Sequence, residues 1–162
     1  MKKLLIILLI LLNSIACASN IYFGSYWQTY EIDGKKTPIE WIILDETEDA
    51  YLLISKYSLD ASIFNSNRDY TTWENSYMRE FLNSYFYKNA FSTKEKKRLI
   101  LTTVQPHINP EYPYINQGQT TQDYIFLLSV EEVLNYLPVS NDRIAFATSF
   151  AKIGHARIIG NR

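Results

Sequence analysis

Cys17 is the only cysteine in the sequence, His107 and His155 are the only histidines, and the carboxylates are scattered along the chain. A lone thiol can be acylated, can act as a nucleophile or can be discarded with a leader, but it cannot close an intramolecular disulfide. Two histidines far apart do not make a histidine-rich metal site, and no spacing supplies the partners for a Ser-His-Asp triad. Both histidines therefore read as ordinary polar residues. Asn65-x-Asn67-x-Asp69 opens like a calcium loop, but Tyr70 stands where the sharp turn needs Gly and Ser76 where a bidentate Glu is required. The segment reads as a polar turn. Glu40 beside Trp41 has the neighbourhood of a raised-pKa acid of the glycosidase kind, yet nothing selects its partner, and in an alternating strand it reads as a solvent-side residue. No metal and no cofactor is expected.

The chemistry with the clearest context is that of Cys17. Lys2 and Lys3 precede nine unbroken Leu and Ile residues at 4–12, and small residues Ala16, Cys17 and Ala18 follow. That order is the n-region, h-region and cleavage region of an export signal. The apolar run is too short for a transmembrane helix, which needs about 20 residues. Two processing routes fit. Ser14-Ile15-Ala16-Cys17 serves as a lipobox, making Cys17 an acylated N-terminus, or Ala16-Cys17-Ala18 is an A-x-A site and a soluble protein is released. The position of the lone cysteine favours the lipid route. The expected organisation is a signal at 1–16, a tether at 17–22, a single domain at 23–156 and an irregular tail at 157–162. The expected location is extracytoplasmic, membrane-anchored through Cys17, with a secreted or periplasmic soluble protein as the alternative.

Loss of Lys2 and Lys3 takes the basic count from 16 to 14 against 17 acidic residues, a net charge of −3. That balance gives no electrostatic reason to bind nucleic acid or anionic lipid. Aromatics make up 15% of the sequence while Gly and Pro number five each, the composition of a packed domain and not of a disordered spacer.

The elements that must position these residues are readable from periodicity. Residues 21–30, 39–44 and 50–57 are aromatic and β-branched and are separated by an Asp33-Gly34 turn signal and an acidic turn at 46–49, which predicts an antiparallel meander. Trp73, Tyr77, Phe81, Leu82, Tyr85 and Phe86 share one helical face, with Thr71-x-x-Glu74 as a capping box. Ser92-x-x-Glu95 opens a short helix through Leu99, and its Lys94, Lys96, Lys97 and Arg98 read as a solvated face. Residues 99–104 are β-prone. An irregular segment follows at 105–123, a length that in a compact domain is functional or disordered. Residues 124–128 read as a strand, Ser129-x-x-Glu132 caps a helix ending at Leu137, and a last helical turn spans 149–153.

Phe23-Gly24-Ser25-Tyr26, Pro38 through Asp45, residues 52–57, Thr72-Trp73-Glu74 through Arg79-x-Phe81-Leu82-Asn83, Asp123 through Val133 and Thr148 through Lys152 together resemble an uncharacterised family of bacterial surface and lipoprotein domains. That family is similar in turn to the C-type-lectin-like fold of sulfatase-modifying enzymes. The resemblance implies an α+β domain, a twisted antiparallel sheet with flanking helices. It implies no reaction, because the enzymology of those relatives needs reactive cysteines or copper and fold alone does not give function. Family members continue past the position of Lys152 into a Trp-Trp-Leu-Arg-Ser-Pro-Gly segment and a closing strand, which residues 153–162 do not match, so the domain is expected to be truncated at its C-terminus.

Three readings compete. The leading one is a non-enzymatic binding or interaction module of the cell envelope, contacting a glycan or envelope protein through Tyr112, Tyr114 and Tyr124, whose amphipathic rings suit sugar or protein contact. The others are a cell-envelope glycan hydrolase and a truncated domain without independent activity.

Overall fold

The computed structural model describes residues 21–30, 34–66 and 69–153. The export signal, Cys17, most of the tether, Asn67, His155 and the tail lie outside the described residues. The first three strands, β1 (Ile21–Trp27), β2 (Lys36–Glu46) and β3 (Tyr51–Ser55), form the expected antiparallel meander in the order β1-β2-β3. The acidic turn between β2 and β3 is closed by the Thr47 N–H, which donates to the Ala50 carbonyl at 2.8 Å. Register shifts between Tyr22 and Ser25 and between Ile43 and Asp45 mark irregularities that bend the ribbon.

A short β4 (Tyr57–Ser58) pairs in parallel with β7 (Phe146–Ala147), a contact across almost the whole domain that no local signal announces. A third sheet pairs β5 (Thr102–Val104) antiparallel with β6 (Thr121–Asp123). Among the described residues the fold is thus mixed α/β, with antiparallel sheets and few helices, as expected of an α+β domain.

The helical face read around Trp73 is present but starts later than its sequence suggests. Trp73–Asn75 make a single 3-10 turn, and the helix proper runs through α1 (Tyr77–Phe81), a π-helical turn at Leu82–Phe86 and α2 (Tyr87–Ala90). Its cap is Ser76, whose Oγ accepts from the Arg79 N–H at 3.1 Å. The Thr71-x-x-Glu74 box is not made, because the Glu74 carboxylate turns away to accept from the Asn75 amide and the Gln119 N–H. The other two capping boxes form as read. Ser92 caps α3 (Thr93–Lys96) with Glu95, and Ser129 caps α4 (Val130–Tyr136) with Glu132. The last element among the described residues is α5 (Ser149–Ile153).

The strand expected at 124–128 is not there, and the strand is β6 instead. Its ladder stops at Asp123 because the next two N–H groups, of Tyr124 and Ile125, donate to the side-chain oxygen of Asn83 at 2.9 and 3.2 Å. The irregular segment accordingly ends at residue 120. Glu40 also departs from expectation. Its side chain is only 12% exposed and accepts from Lys56 Nζ at 2.7 Å, because its backbone carbonyl also receives the Lys56 N–H and brings the two chains together. The ion pair holds the Lys56 ammonium above its ordinary pKa through that hydrogen bond.

The core is aromatic. Tyr26 and Ile39 are fully buried, with Leu59, Phe86, Ala90 and Phe91 around them. Tyr26 meets Phe86 at 4.8 Å and Phe150 at 5.9 Å between ring centroids, and Phe91 meets Phe23 at 5.3 Å. Such pairs add about 0.5–1.5 kcal/mol each beyond the area they bury. The Tyr26 hydroxyl is satisfied by Asp60, to which it donates at 2.6 Å. Burial first, and the Asp60 hydrogen bond second, push that phenol far above the usual range.

Glu95 links α3 to β1. One carboxylate oxygen accepts from Ser92 N and Oγ at 2.8 and 2.6 Å, and the other accepts from Gly24 N at 3.0 Å. The Ser92 hydroxyl, then its N–H, hold the carboxyl below its ordinary value of 4.5. A group with a depressed folded-state pKa stabilises above its unfolded value and loses that contribution as pH falls through the folded one. Glu95→Gln is therefore expected to lower the thermal midpoint at neutral pH and to reduce the acid-side fall in midpoint below about pH 4.5. A variant whose midpoint falls as steeply with acid as the parent's would show that Glu95 carries no part of that dependence.

Candidate functional site

The start of the long helix and the end of β6 are locked by a buried polar clamp. Asp123 has no exposed side-chain surface and accepts three hydrogen bonds: from Arg79 Nε at 2.8 Å, Trp73 Nε1 at 3.0 Å and Thr121 Oγ1 at 2.5 Å. Arg79 also donates through Nη1 to the Glu74 carbonyl at 3.2 Å. A buried carboxylate is tolerated when it is paired and fully hydrogen-bonded, and these donors supply that. One turn on, Asn83 donates to the Ile125 carbonyl at 2.8 Å, so its amide both gives and receives across the same junction. Ser76, Arg79 and Asn83 recur at three and four residues, which places them on one helical face. That polar stripe within an apolar-periodic segment was the sequence signal for the clamp. The inward turn of Asp123 had no counterpart in the sequence.

Outside the clamp the helix is grooved. An open groove of about 350 Å³ runs past Glu74, Asn75, Ser76 and Arg79 to Glu80, Asn83 and Ser84. A second, of about 270 Å³, lies between Tyr77, Glu80, Phe81, Ser84 and Tyr85. The two share Glu80 and Ser84, so a polar floor passes directly into an aromatic wall. Phe81 and Tyr85 stack at 5.6 Å, and Tyr77 and Tyr85 are 44% and 49% exposed. Ser84 and Tyr85 lie in the π-helical turn, a local insertion that re-aims side chains and recurs at functional positions.

The 105–120 connection is pinned to the segment before the helix. Glu74 accepts from Gln119 N–H, and the Tyr70 hydroxyl donates to the Asn116 carbonyl. Gly118 has φ +89° and sits so close that a Cβ there would lie 2.7 Å from Thr72 Cβ. Gly118→Ala is expected to push this connection off Thr72, destabilising the protein by roughly 1–3 kcal/mol from strain and overpacking. Urea unfolding checks this: a shift under about 0.5 kcal/mol would show that the connection yields without cost.

The three tyrosines singled out from the sequence are not brought together as one surface. Tyr114 is 83% exposed and Tyr112 47%, both on the 105–120 connection. Tyr124 instead stacks on Tyr87 at 5.0 Å, next to the Asn83 junction. His107 pairs with Glu131 at 3.2 Å, tying the same connection to α4. Asn65 makes a polar turn: its amide donates to the Asp69 carbonyl and its oxygen accepts from Ser66 N–H, both at 2.9 Å. Among the described residues no three His, Cys, Asp or Glu side chains converge as metal ligands. No helix among them is long and apolar enough to cross a membrane.

Residues 48–155 match a family model described as a domain of unknown function, DUF6273. No curated protein and no solved structure matches the chain.

Proposed function

We propose, for a chain that belongs to the DUF6273 family, that it is an extracytoplasmic domain anchored by lipid on Cys17 and acting as a non-enzymatic binding module of the cell envelope. The observation that carries the binding role is the pair of adjoining grooves on the helix. Glu80, Asn75 and Ser84 offer acceptors and donors beside the rings of Tyr77, Phe81 and Tyr85. Amphipathic rings next to hydroxyl, amide and carboxylate groups are the kit that holds a sugar, stacking on its apolar face and hydrogen-bonding its hydroxyls. Envelope glycan is therefore the ligand class we favour over an envelope protein. Tyr112 and Tyr114, exposed on the 105–120 connection, and Tyr124, stacked on Tyr87, are further contacts we assign to that ligand. The order of the anchoring segment, Lys2-Lys3, the apolar run at 4–12 and Ala16-Cys17, supports the lipid route.

Kinship to the C-type-lectin-like fold belongs to the same proposal. A closing strand of the kind the resemblance implies would find Phe146 of β7 and the nearby Ile144 exposed. We favour binding over the hydrolase alternative because Glu40 is engaged by Lys56 and is not among the groove-lining residues.

The test is the thermal midpoint of the exported protein with soluble cell-wall glycan fragments. A ligand-dependent rise is expected, and Tyr85→Ala or Glu80→Gln should remove it while leaving the unliganded midpoint within about 2 °C for Glu80→Gln, an exposed change. If no fragment raises the midpoint of a cooperatively folded protein, the glycan-binding role is wrong.

A further inference from the structure

The even overall charge conceals a local segregation. Residues 88–98 hold five basic side chains and one acidic one, and that acid, Glu95, is consumed by Ser92 and Gly24. Folding brings in a sixth base. Lys36 Nζ donates to the Asn89 carbonyl at 2.6 Å and Lys96 Nζ to the Lys88 carbonyl at 3.2 Å, so both ammonium groups gather at the carbonyl end of the long helix. Arg98 lies over the Phe23 ring at 5.3 Å, which fixes the cluster beside the first residues of β1. Lys88, Lys94 and Lys97 are exposed. The next exposed residues are not polar: Ile100 is 57% and Leu101 51% exposed before β5 begins. Cations flanking bare aliphatic side chains are the composition of a surface that rests on a bilayer, the cations among anionic headgroups and the aliphatics at the acyl boundary.

We propose that this face, Lys88, Lys94, Lys97 and Arg98 with Ile100 and Leu101, docks on an anionic phospholipid membrane. The position of the anchor agrees with it. Three residues lie between Cys17 and Ile21, four residue steps or at most about 14 Å of extended chain, so a lipid on Cys17 would hold the start of β1, and the basic face beside it, against the bilayer. That clause rests on the anchor proposed above; the charge and exposure of the face do not. Docking here fixes which way the domain faces and makes the face at 88–101 unavailable to other partners.

The experiment uses the exported, processed protein with Ile100→Cys carrying an environment-sensitive NBD label. By either processing route Cys17 contributes no free thiol, so the label is unique. Vesicles are either phosphatidylcholine alone or phosphatidylcholine with phosphatidylglycerol as about a third of the lipid. A further blue shift and severalfold brighter emission are expected on the anionic vesicles over the neutral ones, and this response to anionic lipid is reversed at about 0.5 M salt, where screening is strong. Lys94→Glu with Lys97→Glu should abolish the response, and Lys94→Gln with Lys97→Gln should weaken it, each with near-UV circular dichroism unchanged. Equal emission on the two vesicle types, or a response that survives charge reversal, would overturn the proposal. Sedimentation with the neutral vesicles reports the acyl anchor separately, so failure of the anchor is told apart from failure of the docking face.

Discussion

Asp123→Ala is expected to cost roughly 3–5 kcal/mol, the loss seen when one partner of a buried ion pair is removed. Three donors, Arg79 Nε, Trp73 Nε1 and Thr121 Oγ1, lose their shared acceptor at once. The arginine decides where in that range the value falls. Its side chain is 30% exposed and can recover water, whereas the indole N–H has only the site vacated by the carboxylate. The lower half of the range is therefore expected. Arg79→Met in the Asp123→Leu background should return much of the loss, because an apolar pair replaces an orphaned charge. Urea unfolding by near-UV circular dichroism measures both. A single-variant loss under about 1 kcal/mol would show that the clamp is ornamental.

Gly24→Ala is expected to destabilise by roughly 2–5 kcal/mol, summing a left-handed backbone penalty and an overpacked contact. Gly24 has φ +72°, and a Cβ there would stand 2.7 Å from a Phe91 ring carbon and 2.8 Å from the Ala90 carbonyl. The carbonyl is backbone at the end of α2 and cannot rotate away. The same residue donates its N–H to Glu95, so displacement of β1 also strips one bond from the α3 cap. The test is a double-mutant comparison: Glu95→Gln should cost less in the Gly24→Ala background than in the parent. Equal costs in both would show that the two sites do not communicate.

What the sequence made legible was local. The meander followed from three β-branched runs and the acidic turn at 46–49, and the boxes at Ser92 and Ser129 formed because Ser and Glu three apart satisfy each other's backbone without outside help. The box at Thr71 failed because Glu74 found a better partner across the fold, the N–H of Gln119. Residues 124–128 had strand composition but lost their ladder to Asn83, a residue 41 positions away. Glu40 had the alternation of a solvent-facing residue, and only the approach of Lys56 covered it. Each departure is a long-range hydrogen bond overriding a short-range preference. The candidate site followed the same division. The helix that carries the grooves was readable from its aromatic period, but their floor, set by the clamp beneath and the π-helical turn beside it, was not.

The last helix rests on the first strand: Gln28, just past β1, accepts from Ser149 Oγ at 3.2 Å and from Phe150 N–H, and Trp27 stacks on Phe150 at 5.9 Å. These partners are 121 residues apart, so the closure that joins them carries nearly the largest loop entropy the domain can offer. A chain delivered N-terminus first can therefore build its meander early, but Tyr26 keeps one uncovered ring face until Phe150 arrives. Completion of the aromatic core therefore waits on residue 150, and until it has emerged the Tyr26 and Trp27 rings it would cover leave the chain open to proteases and to aggregation.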